Sequence, residues 1–116
     1  MNKLTNIFKI LSDENRLRMV VLLYQEELCV CELSGILGIP QPRISQNLSK
    51  LRDLNVVDSE RKEKFVFYSL KRENGIFADI LENIIKNMEA YPQFLRDKNE
   101  LKDKEKYSNQ CCEVIN

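Results

Sequence analysis

The chain has 116 residues, of which 43% are hydrophobic and 31% are charged, and its formal net charge is zero. This size and composition predict one globular domain. No stretch approaches the roughly 18 uninterrupted apolar residues of a membrane span, and the N-terminus has no signal-peptide cleavage site, so we expect a cytoplasmic protein with no membrane partner. The chain has no histidine, no phosphate-binding glycine loop and no paired carboxylates in an apolar context, which disfavours an enzyme.

Apolar spacing predicts two helices near the N-terminus. The first has apolar residues at i, i+3, i+4 and i+7, namely Leu4, Ile7, Phe8 and Leu11. Ser12 or Asp13 can cap the second helix. The apolar stripe of that helix is formed by Leu17, Val20, Val21 and Tyr24.

A third helix is predicted over Val30–Leu37, closed by Gly38, and the Pro-containing segment "GIPQP" forms a tight connection after it. Pro42 suits the first turn of a fourth helix, because a residue there needs no backbone N–H donor. That helix has Ile44, Leu48 and Leu51 on its inner face.

The periodicity then changes from helix to strand. Val56–Glu60 and Phe65–Leu70 are rich in Val, Phe and Tyr and flank "RKEK", which predicts a β-hairpin with a charged tip. A long fifth helix follows, with an apolar face running from Ile76 to Met88, and Pro92 is expected to end or kink it. We expect residues 1–95 to form the domain, and residues 96–116 to be a charged tail, either a solvated helix or disordered, ending in adjacent cysteines.

This order of elements predicts a mainly α fold with a small β-hairpin: a winged helix-turn-helix with five helices and a two-stranded wing. In such folds the second helix of the motif reads the major groove of double-stranded DNA. Residues 42–72 contain eight basic and four acidic side chains, which favours this segment as the contact region. The predicted DNA-binding residues are Gln41, Arg43, Ser45, Gln46, Asn47, Ser49 and Lys50 on the helix, and Arg61, Lys62 and Lys64 at the wing tip. The wide apolar faces of the first and fifth helices predict a homodimer formed through them.

Three stretches resemble the ArsR–SmtB family of metal-sensing bacterial repressors: "ELCVCEL", "PQPRISQNLSKLRDLNVV" and "DSERKEKFVFYSL". The resemblance runs from about Leu4 to Met88. It implies a homodimeric winged helix that represses its operator until a metal binds. In arsenic-sensing members, "ELCVC" is followed by a third cysteine, but this chain has Ser34 there. The histidine-based sites of zinc, nickel and cobalt sensors have no counterpart in this chain.

The four cysteines are the predicted metal ligands: Cys29, Cys31, Cys111 and Cys112. Thiolate ligands select soft ions, so we expect arsenic(III) or antimony(III) as the inducer, and no organic cofactor. Cys29 and Cys31 can supply two of the three thiolates that such an ion binds. The third can come from Cys111, from Cys112 or from a small thiol in solution. On a regular helix the side chains of Cys29 and Cys31 would point about 200° apart, so we expect metal binding to distort the start of the third helix and release DNA.

Other interpretations remain open at this stage. The chain could be a cadmium or lead sensor, although residues 1–28 lack the additional cysteines of such sensors. It could be a thiol-redox switch of the same fold. A soft-metal carrier without DNA specificity is the alternative from another functional class. For the adjacent Cys111 and Cys112, a separate metal site, a redox pair and no role at all are further possibilities.

Overall fold

The computed structural model describes residues 2–71 and 75–107. The helices in these ranges are α1 (Asn2–Ser12), α2 (Glu14–Gln25), α3 (Val30–Leu37), α4 (Gln41–Asp53), α5 (Gly75–Lys86) and α6 (Pro92–Glu100). The strands are β1 (Leu28–Cys29), β2 (Val57–Lys62) and β3 (Phe65–Leu70). Two short 3₁₀ helices follow α5 and α6, at Met88–Ala90 and Leu101–Asp103. No helix in the described ranges is long and apolar enough to cross a membrane.

Helix α2 is the centre of the core. Asp13 caps its start by accepting a hydrogen bond from the backbone N–H of Arg16 at 3.0 Å. Five consecutive residues, Met19–Leu23, are buried, so this helix is surrounded by apolar contacts rather than packed on one face. It contacts α1, α3, α5, α6 and β3, and it therefore holds the helix-turn-helix, the wing and the C-terminal helices on one core.

The predicted helix-turn-helix is present. Helix α3 ends at Gly38, which has a left-handed backbone (φ 69°) that favours glycine. Helix α4 begins with a proline in its first turn, as predicted. Ile44, Leu48 and Leu51 are buried, which leaves the opposite face of α4 in solvent.

The sheet has three strands in the order β1–β3–β2, all antiparallel. Strands β2 and β3 form the predicted wing. The two-stranded wing is as predicted, and β1 adds a third strand that was not predicted, with Leu28 opposite Tyr68 and Cys29 opposite Phe67. The turn of the hairpin contains Glu63 at φ 57°.

The C-terminal part differs from the five-helix prediction. Helix α5 ends at Lys86, before Pro92 is reached, so Pro92 does not end or kink it. Instead Pro92 begins a sixth helix, where its missing N–H is tolerated. Helix α6 spans the predicted boundary between residues 95 and 96. It is held to α2 by Arg18, whose guanidinium donates to both carboxylate oxygens of the buried Asp97, at 2.9 and 3.0 Å.

Candidate functional site

Cys29 and Cys31 lie together in one buried cluster between the helix-turn-helix and the wing. Their residues are only 2% and 4% exposed. Phe65 and Phe67 of β3 pack against them. The two sulfurs are therefore shielded from bulk solvent by the aromatic face of the wing.

The backbone explains how the two cysteines come together. Cys29 ends β1 in an extended conformation (φ −91°, ψ 170°) and caps α3, while Cys31 lies in the first turn of that helix. The expected separation of about 200° applies only when both residues are helical, so it does not hold here. The reason for expecting α3 to unwind on metal binding is therefore removed, since Cys29 precedes the helix.

The surroundings of Cys29 keep its thiol protonated. Its pKa is raised to about 11, mainly by burial; the backbone N–H of Glu32 lowers this pKa, and the Glu32 carboxylate adds to the rise. Glu32 is itself buried and accepts a hydrogen bond from the backbone N–H of Cys29 at 3.0 Å. Burial thus contributes more to this shift than Glu32 does.

The sulfur of Cys31 is disulfide-bonded in this structure, so metal binding there requires the reduced protein. The side-chain amide of Gln41 donates a hydrogen bond to this sulfur across 3.6 Å. Within residues 2–71 and 75–107, no group of three or more histidine, cysteine, aspartate or glutamate side chains is placed to hold one ion. Cys111 and Cys112 lie outside the described residues.

Ser34, which stands where arsenic sensors are expected to have a third cysteine, has a structural role. Its hydroxyl donates to the backbone carbonyl of Ile39 at 2.6 Å, and its own carbonyl accepts from the N–H groups of Gly38 and Ile39. These bonds close the turn between α3 and α4. The side chain at this position therefore fixes where α4 begins.

The residues predicted to read DNA on α4 fall into two groups. Most lie in solvent on the face opposite the core: Arg43, Ser45, Gln46, Ser49 and Lys50 are exposed, and Asn47 is half-buried at the edge of this face. Gln41 differs, because it is half-buried and directed at Cys31. This inward orientation had no signal in the sequence, since it depends on the geometry of the turn before α4.

The basic side chains of the wing are exposed at its tip, where Arg61, Lys62 and Lys64 project into solvent. Lys62 also forms an ion pair of 2.6 Å with Glu27, just before β1. Its ammonium lies 5.7 Å from the ring centre of Phe67, one of the residues that cover Cys29 and Cys31. The wing is thus connected to the segment that carries Cys29 by side-chain contacts as well as by strand pairing.

The C-terminal helices press on the outer side of α3. Tyr107 packs so closely over Gly35 that a β-carbon at that glycine would lie 2.1 Å from the ring. The hydroxyl of Tyr107 donates to Glu100 at 2.7 Å, and Lys104 pairs with Glu26 at 2.5 Å. These contacts were not predicted, because the charge of residues 96–116 indicated a solvated helix or a disordered tail.

Comparison with known proteins places the chain among bacterial regulators. Residues 13–59 match the family described as bacterial regulatory protein, arsR family. The arsenic resistance transcriptional regulator ArsR1 of Pseudomonas putida is 44% identical over 76 residues, which are 65% of this chain and 59% of that protein. The cadmium resistance regulatory protein CadC of Listeria innocua is 44% identical over 68 residues, 58% of this chain and 57% of that protein. The chain thus spans little more than half the length of these two relatives.

Longer matches support the same assignment. The regulator ArsR2 of Pseudomonas putida is 37% identical over 93 residues, which are 79% of this chain and 79% of that protein. The crystal structure of the transcriptional repressor BigR from Xylella fastidiosa superposes with a TM-score of 0.65, and the aligned sequences are 34% identical. The alignment covers 73% of this chain and 85% of that one. The winged helix, the helix-turn-helix and these relatives agree: the chain belongs to the arsR family of bacterial regulatory proteins.

Proposed function

We propose that this protein is a metalloid-responsive transcriptional repressor that binds operator DNA as a dimer and dissociates when arsenite or antimonite binds its cysteine sulfurs. The observation that carries the proposal is the position of Cys29 and Cys31. They are buried together where the start of α3, the turn to α4 and the wing meet. A ligand at these sulfurs would act on both elements that carry the predicted DNA contacts.

The DNA-binding part of the proposal rests on the exposed face of α4. Gln46 and Arg43 have the donor and acceptor groups that pair with base edges in the major groove. Ser49 and Lys50 suit phosphate contacts, which add affinity without sequence information. The basic wing tip extends this surface towards the adjacent backbone.

The inducer part rests on the chemistry of the thiol cluster. Two sulfurs under aromatic rings suit a soft, thiol-seeking ion better than a hard cation that prefers oxygen. When a thiol replaces one hydroxyl of arsenous acid, its proton leaves with that hydroxyl as water, and no oxidation or reduction occurs. The third donor is assigned to Cys111, Cys112 or a small thiol in solution, and Ser34 is left out because its hydroxyl is used in the α3–α4 turn.

The dimer is proposed to form through α1 and α5. Phe8 on α1 is 55% exposed and Ile76 on α5 is 54% exposed, which is unusual for such large apolar side chains. Ile80, Ile84 and Ile85 on α5 are only partly buried within one chain. A second copy would cover this surface and place two α4 helices on neighbouring major grooves.

A cadmium-responsive repressor is the second candidate, favoured by the 44% identity to the cadmium resistance protein. Cadmium also prefers thiolates. The two functions are distinguished by titrating each ion against the same protein–DNA complex.

The test measures the anisotropy of a labelled duplex, selected for binding from a randomised pool, with reduced protein at fixed salt. We expect arsenite and antimonite to weaken binding by about 10- to 100-fold, a typical range for coupling between two sites. The variant Cys29→Ser/Cys31→Ser should bind DNA without responding to either ion. The matched variant Cys111→Ser/Cys112→Ser should keep a response only when an added small thiol supplies the third donor. Unchanged wild-type affinity in saturating arsenite would refute the proposal.

A further inference from the structure

Gln41 is the first residue of α4, but its side chain is directed away from the exposed face of that helix. It is half-buried, whereas Pro42 and Arg43 beside it are exposed. Its amide nitrogen lies 3.6 Å from the sulfur of Cys31 and donates to it. This contact joins the buried sulfur cluster directly to the end of the helix that is proposed to enter the major groove.

We propose that Gln41 is a positioning residue that reports the chemical state of the Cys31 sulfur to α4, rather than a residue whose main role is to contact DNA. The inference rests on the proposed function, because it names the link between its two sites. Gln41 was predicted from the sequence to contact DNA, and the inference gives its side chain a different role.

The physical basis is the cost of an unsatisfied donor. A partly buried amide that loses its acceptor must find another, or the segment that carries it must move. In this structure the acceptor is the disulfide-bonded sulfur of Cys31, and sulfur in a thiol or a disulfide is a weak acceptor. A sulfur whose lone pair is engaged by a bound ion accepts less well. A change at Cys31 therefore alters how well the Gln41 amide is satisfied.

The start of α4 can respond to this change because few bonds fix it. The carbonyl of Pro40 accepts from the N–H groups of Arg43 and Ile44, and Ser34 holds the preceding residue, Ile39. The cap residue Pro40 forms no side-chain capping bond. A shift of Gln41 thus tilts the first turn, which carries Arg43, while the buried Ile44, Leu48 and Leu51 hold the rest of the helix on the core.

The experiment compares Gln41→Met with Gln46→Met in the full-length reduced protein. Both substitutions keep the side-chain length and remove the amide, but Gln46 is on the exposed face of the same helix. For each variant, the dissociation constant for the duplex is measured with and without saturating arsenite, and the ratio of the two constants is the response. The melting temperature shows whether each variant folds.

For Gln41→Met we expect the response to arsenite to fall by about fivefold, the equivalent of one hydrogen bond, whatever the DNA affinity of this variant without arsenite. For Gln46→Met we expect weaker DNA binding in both states and an unchanged response. The NMR signals of the Gln41 side-chain amide should differ between the wild-type protein and Cys31→Ala, both without metal. The signals of the Gln46 amide should be the same in both proteins.

Three results would overturn the inference. An unchanged response of Gln41→Met with weaker DNA binding in both states would make Gln41 an ordinary DNA contact. An unchanged response with unaltered DNA binding would make it a purely structural residue. Gln41 amide signals that are insensitive to Cys31→Ala would show that the contact is absent in solution. If the wild-type protein itself shows no response to arsenite, the proposed function fails first, and the NMR result still tests the contact.

Discussion

The pH dependence of ion binding provides a direct test of the chemistry at Cys29. Burial raises the pKa of this thiol to about 11, so at neutral pH the side chain is protonated. Neutral pH lies about four units below this pKa, and removing the proton therefore costs roughly 5 kcal/mol. Cadmium binds the thiolate and must displace the proton to solution, so each thiol that it engages releases one proton. The affinity for cadmium should then rise about tenfold per pH unit for each such thiol.

Arsenite should behave differently at the same sulfur. The thiol proton leaves on a hydroxyl of arsenous acid as water, so no proton is released to solution while arsenous acid stays neutral. We expect its affinity to be nearly flat between about pH 6 and pH 8, where the Cys29 thiol remains protonated. Competition titrations across this range measure both slopes, and Cys29→Ser should lower the cadmium slope by about one. Equal slopes for the two ions, or a cadmium slope that Cys29→Ser leaves unchanged, would refute this account of the site.

Two further predictions concern the C-terminal helices. Asp97→Asn removes the charged partner of the half-buried Arg18 and should lower the free energy of unfolding by about 3 kcal/mol, since the guanidinium is left without a compensating charge. A urea midpoint equal to that of the wild type would show that α6 is not docked in solution. Gly35→Ala places a β-carbon 2.1 Å from the Tyr107 ring and should cost about 1–3 kcal/mol. Denaturation of the double variant with Tyr107→Ala should show that this cost disappears, and a cost that persists would locate the strain elsewhere.

The sequence predicted the elements that bury a regular apolar pattern. Val30–Leu37, the inward face of α4 and the two wing strands follow from periodicity and from Gly38 and Pro42. Strand β1 could not be predicted in this way, because two residues have no measurable period and their partners, Tyr68 and Phe67, are about 40 residues away in the chain. The direction of Gln41 depends on the same kind of non-local information.

The buried carboxylate in the charged C-terminal segment was not predicted, for a related reason. Its composition is typical of a solvated helix, and the three-dimensional partner that makes Asp97 a buried residue is Arg18, far away in sequence. The hydropathy of an aspartate reflects the cost of burying its carboxylate. It contains no information on a guanidinium partner that offsets this cost in the folded protein. For the candidate site, the sequence motif identified Cys29 and Cys31. Their proximity and their contact with Phe65 and Phe67 could not be predicted from the motif, because they depend on the fold.

We propose the wing as a second route from the sulfur cluster to DNA, because Cys29 pairs with strand β3. The ion pair between Glu27 and Lys62 is exposed, with side chains 42% and 44% accessible, and such pairs contribute about 0–1 kcal/mol. It is too weak to move the wing by itself. The backbone pairing of Cys29 with Phe67 is stronger, because a displacement of Cys29 must either break that pairing or carry β3 with it. Phe65 and Phe67 pack on the same sulfurs, so an ion there would also push the strand from its inner face. A ligand at these two cysteines would therefore act on DNA binding in two ways, through Gln41 on α4 and through β3 on the wing. Loss of either connection should reduce the response to arsenite without abolishing it.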